Sequence, residues 1–267
     1  MDQPILPALD LAVVISWLAQ YFFLSLRIGA FILAGPGFGG RFVPLQVRIV
    51  ATMVLVLPLV GRVPVPDVES LSQLSAIGLA VTELLIGLTA GLILTILFSA
   101  ASIAGDRIAN TAGLGFAAQM DPTAGAQVPV VAQLFGLFLL AIFIATDGHL
   151  VAFRILYDSY QFVPIGSQVS LDALIAGGLL SGARMFALGM QIMLPVVAVL
   201  LLLNLTIGIV TRSAPQLNIF SFGFPVTMTS TFILLYLTVP GTADAFDMLI
   251  RDGLMIIGDT LMEAGNG

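Results

Sequence analysis

The stretch LSQLSAIGLAVTELLIGLTAGLILTILFSAASIA, Leu71 to Ala104, decides how this chain folds. It is 34 residues long and Glu83 is its single formal charge. A hydrocarbon core of about 30 Å needs only about 20 such residues in a helix. Working outward, Leu11–Ala34 is another spanning length at 24 residues, interrupted by Arg27, and Val128–Thr146 is a third. Asp172–Thr211 is a long apolar tract broken by Gly177-Gly178, Arg184 and Pro195. Ser213–Ala243 runs 31 residues without a charge but contains Gly223, Pro225 and Pro240-Gly241. Val47–Val60, at 14 residues with Pro58, is too short to span comfortably. Ala245–Glu263 is amphipathic, with Phe246, Leu249, Ile250, Leu254, Ile257 and Leu261 at helical spacing. The expectation is an all-α, integral-membrane-type protein of long helices broken by Pro and Gly and arranged as helical hairpins. Broken helices at membrane depth need protein or a water-lined cavity to satisfy the freed backbone, so a plain bundle of straight spans is not expected.

Composition supports this. Over 267 residues, 59% are hydrophobic and only 9% charged, with a mean hydropathy of +1.11. A soluble domain carries about 25% charged residues, so a water-soluble globule is excluded. The nine basic residues are all Arg and are scattered singly against a net charge of −6, which argues against nucleic acid. Without Cys there are no disulfides, thiolate metal sites or Cys nucleophile. One His and no recognisable motif leave little for an enzyme, and neither a cofactor nor a metal is expected. Met1–Asp10 has two acids and no base, so the first apolar stretch is expected to stay in the mature protein. Arg41, Arg48, Arg62, Arg107, Arg154, Arg212 and Arg251 fall on nearly every connection. The positive-inside rule would concentrate them on alternate loops, so not every apolar segment is expected to cross the membrane.

The connections carry the motifs. Arg27-x8-Pro36 leads to Phe38, Pro44 and Arg48, and the third segment reads Glu83-Leu-Leu-Ile-Gly87-x3-Gly91. A polar and glycine-containing run follows, from Gly105-Asp-Arg to Gln119-Met120-Asp121-Pro122. Asp147-Gly148-His149 comes next, then Arg212-Ser-Ala-Pro215-Gln216-Leu-Asn218-Ile-Phe220 and Gly223-Phe-Pro225. This ordered set, from about Arg27 to Pro225, resembles the FliR family of flagellar type III export gates, whose injectisome counterparts are the SctT proteins. The C-terminal amphipathic stretch matches no pattern of that family, and no fusion to an FlhB-like subunit is expected.

The resemblance implies a FliP-like part over about residues 1–170, a FliQ-like hairpin over about 171–243 and an amphipathic helix over 244–267, in one export-gate domain. It implies a hetero-oligomer with FliP and FliQ in the bacterial inner membrane, at the centre of the flagellar basal body. FlhB and FlhA would act at the cytoplasmic side, with rod proteins and exported flagellar subunits as cargo. It further implies a plug loop that seals the closed pore, carried here by Gly105, Asn110, Gly113, Leu114, Gly115, Phe116, Gln119, Met120, Asp121 and Pro122. These residues suit the role: apolar tips stop ions by dewetting, and small residues let a segment of low local stability move aside. The same run can also be an ordinary Gly-rich turn ending at Asp-Pro.

Other positions keep two readings. Arg27, Glu83 and Arg184 lie in apolar segments, where a charge marks a pathway or a paired partner. They are buried ion pairs that fix register during assembly, or a proton relay. Gly87-x3-Gly91 is a small-x3-small helix contact. Asp147 and His149 are a helix-end polar cluster or, less simply, a catalytic or proton-sensing pair. Arg212, Pro215, Gln216, Asn218 and Phe220 form a hairpin tip, and Arg41, Pro44 and Arg48 another. Gln191 and Asn204 are candidates for interhelical hydrogen bonds. The competing functions are the equivalent SctT subunit of a virulence injectisome and, behind it, a small-solute transporter lined by Arg27, Glu83 and Arg184, although no inverted repeat accompanies the latter.

Overall fold

The computed structural model describes residues 11–39, 43–66, 73–114, 130–214, 216 and 219–266. All regular structure among them is helical. The helices are α1 Leu11–Ala34, α2 Leu45–Val56 with a 3-10 turn at Leu57–Leu59, α3 Gln73–Thr111, α4 Val130–Ala145, α5 Gly148–Phe162, α6 Leu171–Ser213 and α7 Phe224–Ala264. A π turn at Ile219–Gly223 precedes α7.

Local chemistry sets most of the boundaries. α1 ends where Gly35 and Pro36 follow Ala34, with the Gly35 N–H closing on the Phe31 carbonyl at 2.7 Å. α2 tightens into its 3-10 turn at Pro58 and stops before Gly61, which holds a φ of +79°. α4 stops at Asp147, a non-glycine residue with a φ of +56°. α6 starts after Ser170, whose hydroxyl accepts from the Ala173 N–H at 3.3 Å, and Asp172 stands in its first turn.

Three sequence expectations change. α3 continues seven residues past Ala104, so Gly105 and Asn110 are helical rather than part of a loop. A single glycine costs a helix only about 1 kcal/mol, and Asp106-Arg107-Ile108 give it no reason to stop. α7 runs through Pro240-Gly241, so the expected amphipathic helix over 244–267 is the second half of one 41-residue helix. α5 is an additional element that the apolar-run reading passes over, because Arg154 and Asp158 dilute it.

At about 1.5 Å per residue, α3, α6 and α7 are each close to 60 Å long, twice a hydrocarbon core. By length and composition, four helices among the described residues can cross a membrane, or five if α4 and α5 are one broken span. The chain divides into two compact units. Unit 1 is Met1–Thr95, His149–Ser181 and Gly253–Gly267; unit 2 is Ile96–Gly148 and Gly182–Asp252. The core of unit 1 includes Leu24, Ile28, Phe31, Ile86, Leu94, Leu156 and Leu261. That of unit 2 is built on Ile108, Ala109, Ala112, Val131, Val196 and Leu200.

Candidate functional site

In unit 1 the charge on α1 meets the charge on α3. Arg27 is fully buried and Glu83 almost so. The Arg27 Nε–H donates to Glu83 Oε2 at 2.8 Å and Nη2–H to Oε1 at 2.9 Å, a planar two-point pair. Nη1–H donates to the Ser159 hydroxyl at 2.9 Å, and Nη2–H also to the Val163 carbonyl at 2.9 Å. The guanidinium lies 4.1 Å from the centre of the Tyr160 ring, whose hydroxyl donates to the Leu24 carbonyl. Taking an ion out of water costs several kcal/mol, and only good geometry with satisfied lone pairs and protons compensates. Here α5 supplies Ser159 and Tyr160, and Val163, just after its end, supplies a carbonyl.

Glycine makes this pairing possible. A Cβ on Gly87, one turn after Glu83, would overlap the Arg27 carbonyl oxygen. One on Gly91 would stand 2.7 Å from the Ala34 Cβ and 2.9 Å from the Phe31 carbonyl oxygen. The Thr95 hydroxyl then donates to the Ala34 carbonyl at 2.5 Å. Glu83, Gly87, Gly91 and Thr95 thus form one face of α3 at four-residue spacing, laid on the backbone of α1. Gly87-x3-Gly91 is a packing contact, as expected. Thr95, Ser159 and Tyr160 were not anticipated. Thr95 continues the four-residue spacing and could have been found from it; the α5 residues carry no such signal.

Arg184 does not join this network and is not a buried charge. It is about half exposed and approaches Asp252 of α7 at 3.9 Å. Of the three charges read together in the sequence, Arg27 and Glu83 satisfy each other and Arg184 has a separate partner. Asp147 and His149 fall on either side of the helix break, Asp147 exposed and His149 in the first turn of α5. Arg48 folds back to donate to the Val43 carbonyl at 3.0 Å.

In unit 2 the run that begins at Gly105 is built differently. A Cβ on Gly105 would overlap the backbone of Ala132, so this glycine lets α3 and α4 touch. Gly113 has a φ of +82° and ends α3. Its N–H donates to the Asn110 carbonyl at 3.1 Å, and the Leu114 N–H to the Ala109 carbonyl at 2.9 Å. That pair of bonds, with a left-handed glycine, is a Schellman stop. Leu114 packs on the unit 2 core. The Asn110 side chain is exposed and donates to Asp106 at 3.1 Å. Gly115, Phe116, Gln119, Met120, Asp121 and Pro122 lie outside the described residues. At the other expected tip, Arg212 and Gln216 are exposed and Phe220 falls within the π turn, while Pro215 and Asn218 also lie outside.

Residues 18–253 match the family model described as bacterial export proteins, family 1. The chain belongs to that family. It is 32% identical to the flagellar biosynthetic protein FliR of Escherichia coli K12 over 249 residues, 93% of this chain and 95% of that protein. It is 30% identical to the FliR protein of Pectobacterium carotovorum over the same length and shares. The Bacillus subtilis FliR protein is 31% identical over 225 residues, 83% of this chain and 86% of that one. These matches place the chain among the membrane proteins of flagellar export. As an export-family protein, it presents a charged α1–α3 seam in one unit and a capped end of α3 in the other. No group of three or more His, Cys, Asp or Glu side chains able to hold a metal occurs among its described residues.

Proposed function

We propose that this protein is a pore and gate subunit of the flagellar type III export apparatus. It assembles with FliP-like and FliQ-like subunits in the bacterial inner membrane, with FlhB and FlhA at the cytoplasmic side. Unfolded flagellar subunits cross through the pore, and a plug rooted in the region Gly105–Pro122 seals it when closed. Residues of about 1–170 act as the FliP-like part and about 171–243 as the FliQ-like part.

One observation carries the assembly half of this reading. α6 buries a narrow stripe, Leu188, Ile192, Val196 and Leu200, and leaves Ile175, Leu179, Phe186, Leu194, Leu205 and Ile209 exposed. From Ile175 to Ile209 that exposed apolar face extends about 50 Å, and a hydrocarbon core of about 30 Å cannot cover it all. Protein neighbours cover the remainder. A solute transporter with Arg27, Glu83 and Arg184 at one midplane site is disfavoured, because Arg27 and Glu83 already saturate each other and Arg184 pairs with Asp252.

Co-expression with the FliP-like and FliQ-like neighbours, followed by a mass measurement of the purified complex, tests the assembly. The expected outcome is one hetero-oligomer; a monodisperse homo-oligomer in their presence contradicts it. Deletion of Leu114–Ala118 tests the plug. Proteoliposomes holding the assembled complex should then leak ions, and an unchanged conductance rejects the role.

A further inference from the structure

α1 is long and apolar enough to cross a membrane, but it does not satisfy all its own polar side chains. Ser16 and Ser25 are satisfied locally, their hydroxyls donating back to the Val13 carbonyl at 2.8 Å and the Phe22 carbonyl at 2.7 Å. Three others use later parts of the chain. The Tyr21 hydroxyl donates to the Met53 carbonyl of α2 at 3.0 Å. Gln20 accepts from the Gly61 N–H at 3.0 Å and donates to the Val63 carbonyl at 2.6 Å, both just after α2. Arg27 is the only formal charge from Leu11 to Ala34. It depends on Glu83, 56 residues further on, and on Ser159, 132 residues further on. Glu83 is in turn the only formal charge from Leu71 to Ala104. Two helices of spanning length thus each carry one interior charge, and each charge is the other's counter-ion.

We infer that α1 is not an autonomous membrane segment: Glu83 licenses its crossing, and α1 and α3 are integrated as a pair. An uncompensated charge in hydrocarbon is expensive. The neutral groups of Gln20 and Tyr21 find partners early, in α2 and its turn, whereas Arg27 has to wait for α3. The packing brings Glu83 to the right level. α2 runs back along α1, from Thr52 beside Gly29 to Val63 beside Gln20. α3 then follows α1 in the same direction, with Gly87 against the Arg27 carbonyl and Gly91 against that of Phe31. The Ser159 hydroxyl and the Val163 carbonyl come later and are neutral, so they complete the enclosure without changing its charge. Glu83 therefore decides whether α1 crosses, and Ser159 only how tightly α1 is held afterwards.

The chain has no Cys, so single cysteines report on which side of the membrane each end of α1 lies. Asp10→Cys and Pro44→Cys are introduced separately into the full chain. The chains are pulse-labelled in bacterial cells and reacted with a membrane-impermeant maleimide in right-side-out and in inverted vesicles. In the parent the two ends should react from opposite sides. Glu83→Ala should raise about tenfold the fraction of Pro44→Cys chains that react from the Asp10→Cys side. Should Glu83→Ala leave too little chain to score, Glu83→Gln, which keeps the shape and removes the charge, must show the same shift. Arg27→Met should keep the ends on opposite sides, alone and combined with Glu83→Ala, because α1 then carries no charge. Ser159→Ala should also keep them so. Parental sidedness in both Glu83 variants overturns the inference. Equal misplacement in Arg27→Met or Ser159→Ala overturns it as well, since the cause is then lost packing and not a stranded charge. Two ends on one side in the parent overturn it outright, because α1 then does not cross.

Discussion

At the α1–α3 contact, a fully buried guanidinium is held by a carboxylate, a hydroxyl, a carbonyl and an aromatic face. At the end of α3 there is no ion. Four carbonyls are satisfied by three backbone N–H groups and one neutral amide. The two regions fix the same long helix by opposite chemistry. A buried ion pair adds little net stability over an apolar pair of the same shape, but removing one half strands a charge. It therefore punishes misregister between α1 and α3 far more than it rewards correct register. A neutral cap has graded, small effects, so the end of α3 tolerates a single lost bond far better than the seam tolerates a lost charge.

The sharpest way to break this contrast is to remove one side of the ion pair. Glu83→Ala leaves Arg27 buried without its counter-charge and should destabilise the subunit by about 3–5 kcal/mol, seen as loss of subunit from membranes and of purified complex. Arg27→Met combined with Glu83→Leu should recover most of that loss, because no charge is then stranded. Glu83→Gln separates register from proton traffic. Loss of assembly is expected from register, whereas a fully assembled complex that no longer secretes would make Glu83 a proton carrier.

The ingredients of the seam were legible in the sequence and its pairing was not. Arg27 and Glu83 stand out as charges in apolar stretches, but 56 residues separate them, and nothing local says that they meet rather than meeting Arg184. Gly87 and Gly91 show their contact through spacing alone. The end of α1 at Gly35-Pro36 is read correctly from its apolar run. The end of α3 misleads because Gly105 looks like a loop residue, while its absent side chain serves a helix contact with Ala132. Gly113, eight residues on, is the glycine whose backbone conformation ends the helix. Pro240 misleads in the same way: it reads as a break, and α7 passes through it. Asn204 was recognisable as a polar side chain in search of a partner helix, but only the fold identifies that partner as the Thr111 carbonyl.

The next effect concerns the glycines that admit the seam. Gly87→Val drives a branched side chain into the Arg27 carbonyl and should cost about 1–3 kcal/mol through overpacking, measured as a lower melting temperature of the assembled complex. Gly208 on α6 is the matched control, since a Cβ there meets nothing within 4 Å of this chain. Gly208→Val should leave the subunit's own level in membranes unchanged. If it also lowers the yield of co-purified partners, the open space at Gly208 is filled by a neighbouring subunit, which extends the seam's close-packing logic beyond this chain.

The smallest effect is expected where a charge pair lacks the seam's enclosure. Arg184 approaches Asp252 at only 3.9 Å, by one contact, with the arginine about half exposed. Such a pair contributes about 0–1 kcal/mol, and salt screens it. Asp252→Asn should therefore shift the melting temperature of the purified complex far less than Glu83→Ala does, and the shift should shrink as salt is raised. A loss rivalling that of Glu83→Ala would mean that partner subunits bury Arg184 in the assembled gate. The contrast between the two pairs would then belong to the separate chain, and assembly would turn a screened contact into a second enclosed one.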